Sequence, residues 1–352
     1  MGMMCRILEY SADDARINEA FEEAMILARH EEQTLDTVRI WQNRKTVVLS
    51  SDGDARASLD EDACKNNGVV IVRRASSGRV MYQDQGTLNL TYVIDQKSFF
   101  PDTDSLTEVH KRLWKPAADV ISKLSADVEV PAYGKDLIID SGRVAQAWIR
   151  FYHNLMLFQL SINVHANLGA LKYVLKHEDR YTNLRRELSN SLGMDDIKRA
   201  LIDSTARQFG VSFQEQNPSP AEKRLAGRLF EVKYSKDDWN FAGKAPLSLR
   251  DVLVEVYVAY PPTRSCREII ENIRSATRDL EDRVELRIWM RGKGLDGKGS
   301  PPGVPMSSAL IDASKKSIIP AIIINGEIAF SRHVASAEDL RDKILQTLGR
   351  KV

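Results

Sequence analysis

A chain of 352 residues is long enough for two domains, and 43% hydrophobic against 28% charged residues describes a folded globular protein. A formal net charge of +1 gives no electrostatic reason to expect nucleic acid or an anionic membrane surface as a partner. No apolar run reaches the ~18 residues of a membrane span, and the three cysteines, Cys5, Cys64 and Cys266, lie far apart with no Cys-x-x-Cys, against a zinc site or a disulfide framework. The opening MGMMCRILEY lacks a signal-peptide apolar core. The expectation is a cytoplasmic protein with no metal site, no nucleic-acid partner and no membrane contact.

Ser11 and Asp14 form a capping-box pattern, and Ile17, Ala20, Phe21, Ala24, Met25 and Ala28 follow at helical spacing, predicting a helix over 12–30. Strands are expected at 37–42 and 46–50, then a short helix over 57–66 in which Cys64 reads as a small buried hydrophobe. The run VVIV (69–72) reads as a buried strand and LTYVI (90–94) as another. Between them lies RRASSGRVMYQDQGTLN (73–89). Adjacent arginines need anionic partners if buried, and a Ser-Gly turn lets backbone N–H groups approach a ligand. This is either a cradle for a phosphate or carboxylate or a surface hairpin with two solvated arginines; 73–89 is expected to form two adjacent strands and their turn.

Further along, Ser105-x-x-Glu108 caps a helix with the apolar stripe Leu106, Val109, Leu113, Ala117, Val120 and Leu124, where Pro116 is expected to kink or split it. Residues 133–144 read YGKDLIIDSGRV, and LMLFQLSINV (155–164) is a strand preceded by His153, which reads as a solvated histidine ahead of a site residue. A helix over 195–209 ends at Gly210; another starts at Ser219-Pro220 with Glu222 completing the box.

These patches resemble the lipoate–protein ligase A family of the biotin/lipoate ligase superfamily. The family's Arg-Arg-x-Ser-Gly-Gly-Gly-x-Val motif, continued by an aromatic residue and x-Asp-x-Gly-Asn-x-Asn, is matched by Arg73, Arg74, Ser76, Gly78, Tyr82, Asp84, Gly86 and Asn89, with Met81 for the valine. Ser77 and Arg79 stand where the family has glycines, and Thr87 where it has asparagine. Asp136 matches the aspartate of a second motif, but the lysine expected seven residues later is Arg143, and Gln146 and Trp148 replace small residues. Arg180-Tyr-Thr-Asn-Leu184 resembles a third patch, behind a loop shortened to HED, and Tyr234-x-x-x-x-Trp239-Asn240 a fourth. The resemblance covers roughly residues 12–241.

The last hundred residues differ. Val252, Val254, Val256 and Val258 alternate on a strand, a helix follows, and Val284, Leu286, Ile288 and Met290 alternate on a second strand. RGKGLDGKGSPPGVP (291–305) is a glycine/proline-rich loop, 318–330 reads as two strands joined by Asn-Gly, and Ser336 and Asp339 open a last helix. This order resembles a thioredoxin fold, with Pro320 at its cis-proline and Thr263-Arg-Ser-Cys266 in place of Cys-x-x-Cys, leaving Cys266 as a single thiol candidate.

The resemblances imply an α+β chain: a biotin/lipoate ligase-like mixed sheet flanked by helices over 1–245, then a smaller thioredoxin-like α/β domain over 250–352. They imply ATP-dependent ligation of lipoate or octanoate, through an acyl adenylate, to a lysine of a lipoyl-carrier domain, with ATP, Mg2+ and lipoate as cofactors. Arg143 and Asp136 would be catalytic; Arg73, Arg74, Ser76, Ser77, Gly78, Tyr82, Asp84 and Asn89 would bind the adenylate. The departures at Ser77, Arg79, Thr87 and Arg143 support an alternative, a non-catalytic ligase-like protein that binds a lipoylated or thiol-bearing partner.

Overall fold

The computed structural model describes residues 3–124, 128, 130–132, 136–176, 180–187, 193–299 and 304–349. The YGK of the second motif, the HED loop and residues 300–303 of the glycine/proline loop lie outside them. The chain divides into two units, Met1–Ala245 and Pro246–Val352.

The first unit opens with β1 (Met3–Glu9), α1 (Ala15–His30), β2 (Thr37–Trp41), β3 (Thr46–Leu49) and the short helices α2 (Ala55–Ser58) and α3 (Glu61–Asn66). Asp14, not Ser11, caps α1 by accepting from the Arg16 N–H; the Ser11 hydroxyl accepts instead from the Gln42 N–H. Next come β4 (Val70–Arg73), β5 (Met81–Gln83), β6 (Thr87–Asp95), α4 (Gln96–Phe99) and α5 (Leu106–Lys123). Helix α5 runs unbroken through Pro116, whose ring is buried on the same side as Leu113 and Ala117, so the helix is not split there. The unit closes with β7 (Leu137–Ile139), β8 (Gly142–Tyr152), β9 (Leu155–Asn163), α6 (Leu171–Val174), α7 (Leu184–Glu187), α8 (Met194–Phe209), β10 (Val211–Glu215), α9 (Pro220–Leu229), a π-helical turn over Phe230–Tyr234 and α10 (Asp237–Asn240).

Two sheets result, a mixed seven-stranded one in the order β10-β1-β2-β6-β9-β8-β7 and a three-stranded one in the order β4-β3-β5. The stretch 73–89 therefore does not form two adjacent strands. Strand β3 separates β4 from β5, and β6 belongs to the other sheet. The arginine-bearing loop crosses over the end of β3, and the next turn carries the chain from one sheet to the other.

The large sheet has unlike faces. One carries Val38, Ile40, Leu90, Tyr92, Phe158 and Leu160, packed against Leu113, Trp114 and Ala117 of α5 and Leu201 of α8. The alternate positions, equally buried, are polar or aromatic, and register aligns them: Trp41, Asn89, Ser161 and Gln146 in one row, Arg39, Thr91, Gln159 and Trp148 in the next. Helix α1 answers this second face with buried Asn18, Glu19, Glu22 and Glu23.

The second unit contains β11 (Val252–Val258), α11 (Arg264–Thr277), β12 (Val284–Met290), β13 (Gly294–Leu295), α12 (Ser308–Lys315), β14 (Ala321–Ile324), β15 (Glu327–Ser331) and α13 (Ala337–Gly349). Its sheet runs β13-β12-β11-β14-β15, with β11 and β12 parallel and β14 antiparallel to β11. The even-numbered valines of β11 face α11 and α13, while Tyr257 and Trp289 face α12. Asn325 and Gly326 both adopt positive φ, +48° and +84°, as the two-residue turn between β14 and β15 requires. The Ile319–Pro320 bond is cis.

Candidate active site

The two adjacent arginines separate at once into different jobs, because successive side chains of an extended segment point to opposite sides. Arg73 points toward the end of the unit. Its guanidinium donates to the carbonyls of Ser50 (2.6 Å), Gly53 (2.7 Å), Trp239 (2.8 Å) and Phe241 (3.1 Å). The Trp239 indole returns a bond to the Arg73 carbonyl and Asn240 accepts from the Arg73 N–H. The Trp-Asn pair thus locks the last turn of the unit onto β4.

Arg74 turns inward and organises its own loop. It donates to the Ser76 hydroxyl (3.1 Å) and to the carbonyls of Ser77 (3.1 Å) and Arg79 (2.9 Å), while its guanidinium lies 4.2 Å from the ring centre of Trp148. Gly78 is required there. Its φ is +123°, and a Cβ on it would sit 2.8 Å from Arg74 Nη2. Complete burial lowers the Arg74 pKa to about 10, with Glu19 working in the opposite sense.

Beneath the loop lies the polar face of the large sheet. Gln83 of β5 donates to Asn89 (2.9 Å) and Ser161 (3.0 Å) and accepts from Asn43 (2.7 Å), joining the two sheets. Ser161 also donates to Asn89. Arg39 pairs with Glu22 at 2.6 Å, and Thr91 donates to the other Glu22 oxygen at 2.5 Å. Trp148 donates to Gln159 at 2.8 Å. Four buried polar atoms here have no partner among the described residues: Arg74 Nη1, Glu19 Oε1, Gln146 Oε1 and Gln159 Nε2. Burial, then the nearby Glu22, push the Glu19 carboxyl up to about 8, so it carries a proton through much of the neutral range.

The β7–β8 hairpin approaches the loop from the side. Arg143 pairs with Asp136 at 2.6 Å, both about nine-tenths buried, and exposed Arg79 from the loop lies 3.7 Å from the same carboxylate. The Arg143 guanidinium lies 5.1 Å from the Tyr181 ring centre, and the Tyr181 hydroxyl reaches the Val80 carbonyl at 3.4 Å. Two cations thus share one carboxylate. Next to them the loop residues Gly78, Arg79 and Val80, with Leu49, Ser50, Gly53 and Ser58, line a cavity of about 290 Å3.

The residues singled out in the sequence therefore divide. Arg74, Ser76, Ser77, Gly78, Asn89, Asp136 and Arg143 converge around the loop and the polar layer. Arg73 is a clamp. Tyr82 is packed with Val47, Leu49 and Leu171 in the core of the small sheet, and burial raises its hydroxyl to about 12. Asp84 accepts from the Gly86 and Asn167 N–H groups, holding a turn in which a Cβ on Gly86 would lie 2.5 Å from the Ala166 nitrogen. His153 occupies the exposed β8–β9 turn and stacks on His30 at 4.3 Å. Cys266, read as a thiol candidate, is wholly buried among the core residues of the second unit and is a packing residue. Sequence reading missed Glu19, Gln83, Gln146 and Gln159 as site residues. The signal was the Gln-x-Ser-x-Asn alternation inside β9 and the Glu19 position on the buried stripe of α1.

The chain matches the lipoyl protein ligase A/B catalytic domain over residues 14–206. It is 24% identical over 223 residues to lipoate-protein ligase A subunit 1 of Thermoplasma acidophilum, a match covering 58% of this chain and 83% of that one. Its fold is similar to the T. acidophilum bipartite lipoate protein ligase solved in a study of that ligase and its E2 lipoyl domain (TM-score 0.61, 23% identity, 69% of this chain and 98% of that). It is also similar to a lipoate-protein ligase A bound with ATP (TM-score 0.60, 22% identity, 69% and 100%).

Proposed function

We propose, from the premise that the chain belongs to the lipoyl protein ligase A/B catalytic-domain family, that it is a lipoate–protein ligase. Lipoate, or octanoate, attacks the α-phosphorus of ATP through its carboxylate, releasing pyrophosphate. A lysine amine of a lipoyl-carrier domain then attacks the acyl carbon and releases AMP. The observation that carries this reading is the set of bare, buried polar atoms on Arg74, Glu19, Gln146 and Gln159 under a glycine-containing loop. Buried polar groups are almost always satisfied, and a ligand with both donors and acceptors completes this set.

Catalysis is then mainly positioning and charge stabilisation. The Asp136 carboxylate cancels one of its two cationic neighbours, which leaves about one positive charge, shared between Arg143 and Arg79, beside the loop. That charge offsets what develops between the acyl carboxylate and the α-phosphate. Ser76, Ser77 and Gly78 hold the adenylate through the loop, with Asn89 in the layer below. Magnesium would enter as the complex with the phosphates of ATP. For the second unit, the β-α-β order with a parallel first pair and a closing antiparallel hairpin supports a thioredoxin-like reading. No helix among the described residues is long and apolar enough to cross a membrane.

The test is pyrophosphate release by the full chain with ATP, Mg2+ and lipoate or octanoate, together with the mass of a carrier domain before and after. Acid-dependent release and an acylated carrier lysine are expected. Silence with both acids would instead favour a ligase-like protein that binds its lipoylated partner without catalysis.

A further inference from the structure

A cavity of about 480 Å3 lies in the second unit, remote in sequence from the ligase motifs. Its floor is the register pair Tyr257 and Trp289 on β11 and β12, on the α12 face of the sheet. Leu310 of α12 forms one wall, Met290 and Met306 flank it, and Lys293 stands in the glycine-rich segment Gly292–Gly299 that forms the other side. Gly297, at φ +75°, lets that segment close in, since a Cβ there would lie 3.3 Å from Met290 Sδ. The volume and the aromatic and aliphatic lining match small-molecule sites, which run from about 300 to 1,000 Å3.

The polar groups of this cavity define what it takes. Trp289 is 3% exposed, and its indole N–H has no acceptor among the described residues. A buried indole ordinarily finds one. The only charged side chain among the described lining residues is Lys293, whose ammonium lies 5.4 Å from the Tyr260 ring. The Ser314 and Tyr257 hydroxyls bond to each other at 3.2 Å. Among the described lining residues, apolar walls, an unused buried donor, one cation and no carboxylate describe a complement to an apolar body with an anionic, acceptor-only head. We infer that the second unit carries a binding site of its own for a saturated medium-chain monocarboxylate, its alkyl chain against Trp289, Met290 and Leu310 and its carboxylate drawn to the Trp289 N–H and Lys293. Flexible methionines suit an alkyl chain that has no fixed shape.

The experiment uses the full chain labelled with 15N-tryptophan. Five indole signals are expected, one per tryptophan, and Trp289→Phe identifies the one that matters. Titration with decanoate should move the Trp289 indole proton signal saturably. Ser314→Phe, which fills the cavity from an exposed rim position, should weaken that titration at least tenfold, and Lys293→Met several-fold with a smaller dependence on salt. Thermal unfolding checks that each variant is folded. Any decanoate response of Trp148, in the first unit, should be the same in Ser314→Phe as in the parent. A Trp289 signal that stays put at millimolar decanoate, or that titrates equally in parent and Ser314→Phe, overturns the site. Neither result bears on pyrophosphate release, so this inference and the ligase reading fail independently.

Discussion

Asp136 and Arg143 face each other at 2.6 Å across the base of the β7–β8 hairpin, and the distance shows what became of the position where the family carries a lysine. The guanidinium keeps the charge but is held by a carboxylate on one side and the Tyr181 ring on another. A planar fork tolerates such sharing better than an ammonium, because it can donate along more than one edge. Arg143→Ala should lower pyrophosphate release ~10²–10³-fold, the usual cost of removing one preorganised charge-stabilising contact. Arg143→Lys should stay within about tenfold of the parent. Steady-state pyrophosphate release checks both; an alanine variant as active as the parent removes Arg143 from the chemistry.

Arg73 and Arg74 should separate cleanly. Arg73→Ala takes away five bonds to main-chain carbonyls and should destabilise the first unit by ~3 kcal/mol or more. The affinity of molecules that remain folded should change little. Arg74→Ala should do the reverse, weakening a non-hydrolysable lipoyl-adenylate mimic more than tenfold in calorimetric titration, since Arg74 holds the loop carbonyls and presents a bare Nη1. Denaturant unfolding and titration of the two variants side by side decide it.

Glu23 is a structural carboxylate, and its pH dependence follows from its partners. Burial acts to raise its pKa, but Lys233 and Arg150, with hydrogen bonds from Lys233 and Tyr234, hold it at about 2 against an ordinary 4.5. A carboxylate lowered by folding contributes stability that is present above its unfolded pKa and lost as pH falls through its folded one. This contribution should disappear between about pH 4.5 and 2, with a size of about 3 kcal/mol at neutral pH. Glu23→Gln should show the loss at pH 7 and a flatter acid limb in urea titrations.

Glu19 has the opposite sign. Its folded pKa of about 8 lies above the unfolded value, so the folded state holds a proton that the unfolded state has given up. Stability should therefore fall as pH rises from about 4.5 to 8, by roughly 1.4 kcal/mol for each unit across that window. Glu19→Gln removes the titration, and the variant should gain on the parent as the pH is raised from 5 to 8.5. A constant difference between them would show that Glu19 is ionised in the fold.

Local rules determined much of this protein from its sequence. Helix α9 begins where Ser219, Pro220 and Glu222 place it, with both capping-box bonds made, and α8 ends at Gly210 in the left-handed region. The Asn325-Gly326 turn follows the same logic, since caps and tight turns are decided within four or five residues. The motif order likewise marked Arg74, Ser76, Gly78, Asp136 and Arg143 as one group. What the tertiary structure alone decided is which residue of each pair faces the site. Arg73 and Arg74 are chemically identical, and only the packing of Trp239 and Phe241 onto β4 makes one a clamp. Tyr82 and Asp84 carry motif letters yet serve the core of the small sheet and a turn. Glu19, Gln146 and Gln159 carry none: Gln146 and Gln159 join the site because the register of four strands lines up the polar positions of one face, and Glu19 because α1 packs on that face. A strand's own alternation says that one face differs from the other; which face is covered by a charged helix is a long-range fact, fixed by sheet order.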